Sequence, residues 1–306
     1  MRQFITLLNQ PLEHYKLIIL VIAVAFIFVP NVVDPNDYEL NVEPLVMLNA
    51  VYDNPAYVYP PQALTLMSPF LLVNEAIIRV LTVLMVAWYG YSRMWTLMSF
   101  LVAVLNPIFV FAMLFANLDL FIVLLPVLLF KRAPIWGQAL LLSILMLKPQ
   151  MGVLVALYFV VQYKAWKAAF LGAAFTLAHF IIPDPSGMPI GLGWIDNIIN
   201  PTDYNRGAWM MNAAGFRWVI FITLPLAYYV SRQSWTEDKT IASLLIIALT
   251  LSPYASVQSV LVPIVILINP LLTIVHWGMV LASMSGIVWY FFTALVFSAG
   301  GAMLQE

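Results

Sequence analysis

Uninterrupted apolar runs constrain this chain more than any motif in it. LIILVIAVAFIFV at 17–29 and FIVLLPVLLF at 121–130 are apolar on every face, so they fit neither the one-sided stripe of a water-facing helix nor the alternation of a barrel strand. Such segments read as helices surrounded by lipid. Across 306 residues, 63% are hydrophobic and 9% charged, which leaves no stretch for a soluble catalytic domain. At about 20 apolar residues per span, the length predicts an all-α, polytopic transmembrane helical bundle of roughly nine to eleven spans, 1–306 forming a single transmembrane domain. With no cysteine, disulfides, thiolate nucleophiles and cysteine metal sites are excluded.

Spans are expected near 17–33, 72–92, 95–113, 115–130, 134–149, 150–163, 168–183, 214–230, 240–254 and 256–269, followed by a long or kinked apolar region at 271–297. The first lacks a small-residue cleavage site and reads as a retained helix with a cytoplasmic amino terminus. Alternating from there puts Arg2, Lys16, Arg93, Lys131, Arg132, Lys164, Lys167, Arg232 and Lys239 on the cytoplasmic side, nine of the 13 basic residues, as the positive-inside rule requires. Arg79, Lys148, Arg206 and Arg217 depart from it, which makes them candidate functional cations. Arg79 lies four residues after Glu75 and reads mainly as an intrahelical pair. Asp119, following Asn117, reads as a helix cap.

Two long outer loops, 34–71 and 184–213, are expected to form a lid on the outer face, because loops of that length in a compact protein usually carry function. The first holds Asp34, Asp37, Glu39, Glu43 and Asp53 and, through Pro61, no lysine or arginine. A carboxylate there can serve as a base at the membrane interface. The commoner fate of an Asp-Pro-Asn-Asp sequence is a helix end or cap. Asp34 and Asp37 could also offer oxygens to Mg²⁺ or Mn²⁺. His14 and His276 fall near the cytoplasmic side, away from His179, so no three-histidine metal site is expected. No glycine-rich phosphate loop follows a strand, which disfavours a nucleotide donor and gives no sign of a nucleic-acid partner.

Four elements in order carry a family resemblance: DPNDY at 34–38 with Tyr52 after it, VYPP at 58–61, LKPQ at 147–150, and LSPYASVQSVLVPIVIL at 251–267. Together they resemble the GT-C-type integral-membrane glycosyltransferases, in the bacterial branch of mannosyltransferases that take a sugar from polyprenyl phosphate. The chain departs from that pattern at Asn117-Leu118-Asp119, where a Gly-Gln-Asn-like element is expected.

The resemblance implies an enzyme of a prokaryotic plasma membrane, its active site on the outer face, that moves mannose with inversion onto a glycolipid or glycan acceptor. It implies Asp34 as catalytic base, with Asp37 the competing carboxylate. Lys148 would hold the donor phosphate, helped by Arg206 or Arg217, and Tyr38, Tyr59, His179 and Gln150 would line the substrate site. The bland readings are an anchoring role for Arg217 beside Trp218, a snorkelling Lys148 and a satisfied interfacial His179. A secondary transporter, whose charges would gather at the midplane of paired spans, and a non-catalytic subunit of a membrane complex are the competing classes.

Overall fold

The computed structural model describes residues 6, 8–28, 59–114, 116–199, 219–251, 261–267, 273, 274 and 277. These residues are mostly helical, with no strand among them. The principal helices are α1 (Lys16–Ala25), α2 (Glu75–Ser92), α3 (Leu97–Val104), α4 (Pro107–Leu114), α5 (Asp119–Leu129), α6 (Ile135–Leu145), α7 (Pro149–Gln162), α8 (Trp166–Phe180), α9 (Ile190–Ile199), α10 (Val219–Ser231), α11 (Glu237–Leu251) and α12 (Leu261–Leu267). A short helix, Ala63–Leu66, and a 3₁₀ segment, Ser68–Leu72, precede α2.

Local chemistry sets the boundaries. The Asn74 side chain accepts from Ile77 N at 3.0 Å and opens α2; Thr96 accepts from Ser99 N at 3.2 Å and opens α3. Helices α2, α4 and α7 are followed by Met94, Ala116 and Lys164 at φ 55°, 48° and 54°. That left-handed conformation costs a non-glycine residue roughly 1–2 kcal/mol. Each turn gains the backbone bond that closes a helix end of this kind: Trp95 N to Gly90 O at 2.9 Å, Asn117 N to Ala112 O at 3.2 Å and Ala165 N to Val160 O at 2.9 Å.

Two expectations need correction. The segment 95–113 is two helices, α3 and α4, bent by 57°. Pro107 lacks the N–H needed to continue α3, and Asn106 Oδ1 accepts from Ile108 N at 3.0 Å to restart the chain as α4. The two long loops are in part helical: 63–72 coils and meets α2 at 106°, and α9 lies inside 184–213. Gly191 and Gly193 weaken the helical signal of α9, but Ile190 and Asn197 are buried and Ile190 N donates to Ile182 O at 2.8 Å, docking the helix on the end of α8. Among the described residues no single helix is long and apolar enough to cross a membrane; the two bent pairs, 63–72 with α2 and α3 with α4, pass that test together.

The most extensive packing is α8 against α6, α11 against α7, α12 and α10, and α2 and α6 against α5, with α1 also on α2. Phe130 stacks on Phe159 at 4.7 Å in the core, and both are fully buried. Lys131 after α5 and Tyr163 after α7 both meet Glu237, whereas the starts of the same two helices meet each other through Asp119 and Lys148, so the bundle has two ends. At one, Arg93 grips Asp238 with two bonds, Nε to Oδ2 at 2.5 Å and Nη2 to Oδ1 at 2.6 Å. Burial alone would lower the Arg93 pKa; the hydrogen bonds and charge of Asp238 outweigh it and hold the guanidinium more firmly protonated. Beside that pair, Glu237 accepts from Lys131 and from Tyr163 Oη at 2.9 Å. The turns after α2, α5 and α7 are thus tied to the start of α11, and the cations that mark this end are Arg93, Lys131, Lys164 and Arg232, all expected on the cytoplasmic side.

Candidate functional site

At the opposite end, three segments distant in sequence meet. Lys148 occupies the position just before α7, and its backbone O accepts from Met151 N at 2.9 Å and Gly152 N at 2.8 Å. A helix N-terminus repels a cation by roughly 0.3–1 kcal/mol, so an ammonium held there calls for a compensating anion. Asp119 supplies it. Its carboxylate is 0% exposed and forms an ion pair with Lys148, which is 14% exposed. Asp119 is the first residue of α5, where the same dipole favours a carboxylate, and Asn117 Oδ1 accepts from Asp119 N at 2.8 Å to fix the turn. Asp119 therefore opens a helix, as expected, but as the buried partner of a distant lysine and not as its cap.

The third segment is the Pro-Pro turn. Ala63 N donates to Pro60 O at 2.9 Å and Leu64 N to Pro61 O at 3.1 Å, which turns the chain into the helix Ala63–Leu66. Tyr59, just before this turn and nearly fully buried, lies under Lys148 with the ammonium 5.5 Å from the ring centroid. Three residues on, Gln62 Nε2 donates to Met146 O at 3.3 Å. From the same helix Thr65 Oγ1 lies 2.8 Å from His179 Nε2, and His179 Nδ1 lies 2.8 Å from Phe175 O. A carbonyl only accepts, so Nδ1 carries a proton, and in the neutral ring Nε2 accepts from the Thr65 hydroxyl.

The expected site residues thus fall into three groups. Tyr59 and Lys148 are brought into contact. His179 joins the same end through Thr65, with both ring nitrogens already engaged by the protein, and Gln150 is the second residue of α7. Asp34, Asp37, Tyr38, Arg206 and Arg217 lie outside the described residues. Arg79 pairs with Glu75 at 3.6 Å, as its spacing implied, and also donates from Nε to Met113 O at 2.7 Å. No group of three or more metal-ligating side chains occurs among the described residues. Sequence reasoning missed Gln62, Thr65 and the pairing of Asp119. The available signal was chemical: a carboxylate opening an otherwise apolar segment demands a cation, and Lys148 was the lysine left over by the topology.

No family model, no curated protein and no solved structure matches this chain.

Proposed function

We propose that this chain is a membrane-embedded glycosyltransferase that takes a sugar, mannose by resemblance, from a polyprenyl-phosphate donor at the outer face of a prokaryotic plasma membrane. One observation carries the reading: Tyr59 of VYPP and Lys148 of LKPQ, two separate elements of the family pattern, meet at one end of the bundle, joined there by Asp119 from the element at which the chain departs from that pattern. Embedding is supported by the exterior. Leu17, Leu20, Val21 and Val24 on α1, Leu81, Leu84 and Trp88 on α2, Val153, Leu157 and Val161 on α7, and Trp166, Phe170 and Leu177 on α8 are all exposed large apolar side chains. Each of these half-covered side chains gains only part of the roughly 1.5–3 kcal/mol that full burial of such a group gives, but the gain is repeated around the bundle and favours hydrocarbon over water outside it.

In the reaction, the acceptor oxygen attacks the anomeric carbon as the bond from that carbon to the lipid phosphate oxygen breaks, with inversion. Asp34 takes the acceptor proton, with Asp37 the rival for that role, and the polyprenyl phosphate departs with the bonding electron pair. Lys148, steadied by Asp119 and Tyr59, directs its remaining N–H donors at the phosphate and offsets the charge that develops there. Arg206 or Arg217 adds to that clamp, and Tyr38, Gln150 and His179 line the sugar side. The acceptor is a glycolipid or glycan, and a divalent cation, if one takes part, binds at Asp34 and Asp37. A midplane transport route fits less well: in α1, α2, α5, α6, α7, α8 and α11 the acidic and basic side chains lie in the turns or within five residues of a helix end.

The test is transfer of labelled mannose from synthetic polyprenyl-phosphate mannose to membrane-lipid extracts by the purified chain. Wild type transfers label, and Asp34→Asn lowers the rate by roughly 10²-fold or more, the scale of a lost general base, while Asp37→Asn has the smaller effect. Absence of transfer by every form, across several donor sugars and acceptor pools, refutes the reading.

A further inference from the structure

Among the described residues of this end, Gln62 has a buried amide oxygen whose bonding is incomplete. It is 1% exposed, and its amide orientation is fixed, because Met146 O can only accept and so must face Nε2. That leaves Oε1, which is buried and has no hydrogen-bond partner. A buried amide oxygen without a donor is costly and seldom tolerated in a folded protein. It is also located where a ligand is needed: Gln62 reaches the 146–148 strand of chain that carries Lys148, and Tyr59, three residues before it, touches that lysine.

Building on the transferase reading, we infer that Gln62 recognises the sugar of the donor, its Oε1 accepting a hydrogen bond from one sugar hydroxyl while Lys148 meets the adjoining phosphate. The chemistry favours a hydroxyl. Oε1 is acceptor-only, so it repels a phosphate oxygen and pairs with an O–H. Lys148 has the opposite preference, since an ammonium only donates. One group for each half of a glycosyl phosphate stands on two neighbouring segments. Such a site distinguishes a sugar-bearing lipid phosphate from the bare lipid phosphate that is the product, and so favours product release.

The experiment measures binding by the full-length, detergent-solubilised chain of short-chain polyprenyl phosphate, its mannosyl form, and mannosyl forms lacking one hydroxyl each. Wild type should prefer the mannosyl lipid over the bare one and lose roughly tenfold in affinity for a single deoxy form, the scale of one hydrogen bond. Gln62→Met, similar in size but without the acceptor, should lose the preference and become indifferent to that deoxygenation, while binding bare polyprenyl phosphate as wild type does. Gln62→Glu, which keeps an acceptor, should remain sensitive to it. The inference is overturned if wild type shows no preference, if Gln62→Met keeps the wild-type deoxy profile, which would mean a buried water alone satisfies Oε1, or if Gln62→Met weakens bare and mannosyl lipids equally. Sugar-dependent binding through Gln62 without transfer in the assay above sinks the enzyme reading and leaves this assignment standing; transfer with an unchanged Gln62→Met profile does the reverse.

Discussion

Gly152→Ala is expected to cost this protein about 3 kcal/mol or more and to lower its thermal midpoint in detergent accordingly. A Cβ at residue 152 would lie 1.9 Å from Leu145 O and 2.5 Å from Leu145 C. Overpacking usually costs about 1–3 kcal/mol because a neighbouring side chain rotates away. Here the obstacle is the backbone of the last residue of α6, so the turn between α6 and α7 has to open. Gly187 provides the contrast. Its φ is 87°, with nothing within 4 Å of an added Cβ, so Gly187→Ala pays only the left-handed strain of roughly 1–2 kcal/mol. Because Lys148 sits in the turn that Gly152 keeps closed, the first substitution should also uncouple Lys148 from Asp119. A Gly152→Ala midpoint equal to wild type would show that the close approach is not required.

The second large effect belongs to the ion pair itself. Removing one partner of a buried pair leaves an uncompensated charge and typically costs about 3–5 kcal/mol, whereas replacing both by apolar groups of similar volume is often neutral. Asp119→Leu and Lys148→Met should each be destabilising on that scale. The Asp119→Leu/Lys148→Met double variant should recover most of the loss, giving a coupling energy of about 2 kcal/mol or more in a double-mutant cycle. Asp119→Leu is expected to be the milder single change, because Lys148 is 14% exposed and can reach water, while Asp119 at 0% cannot. Additive single effects would mean that the two side chains do not depend on each other. Stability and activity should separate here: the double variant folds, yet it lacks the cation for a lipid phosphate.

Much of the frame was legible because its causes are local. Apolar runs and the Glu75–Arg79 spacing act within a few residues. Cations assigned to one side by the positive-inside pattern share one end of the bundle, but the pattern does not say what they do. Arg93 and Lys131 are bound to Asp238 and Glu237, 145 and 106 residues away, and nothing in a single sequence announces a pairing at that separation. The same holds for Asp119 with Lys148 and for Gln62 with Met146. Helix α9 escaped notice because its glycines imitate a loop, and the bend at Asn106-Pro107 because the flanking residues are apolar on both sides. The resemblance pointed to Tyr59 and Lys148, and only the fold brought them to within 5.5 Å.

The site described here requires the Lys148 end and the Glu237 end to face opposite sides of a bilayer. The chain contains no cysteine, so single cysteines report without background. Met188, 54% exposed in the turn before α9, belongs to the Lys148 end, and Ser234, exposed in the turn before α11, belongs to the other. In intact cells carrying Met188→Cys or Ser234→Cys, a membrane-impermeant maleimide should label residue 188 at once and residue 234 only after the membrane is opened. Equal labelling of both without permeabilisation would mean that the two ends share one compartment, and an outer-face site at Lys148 would no longer stand.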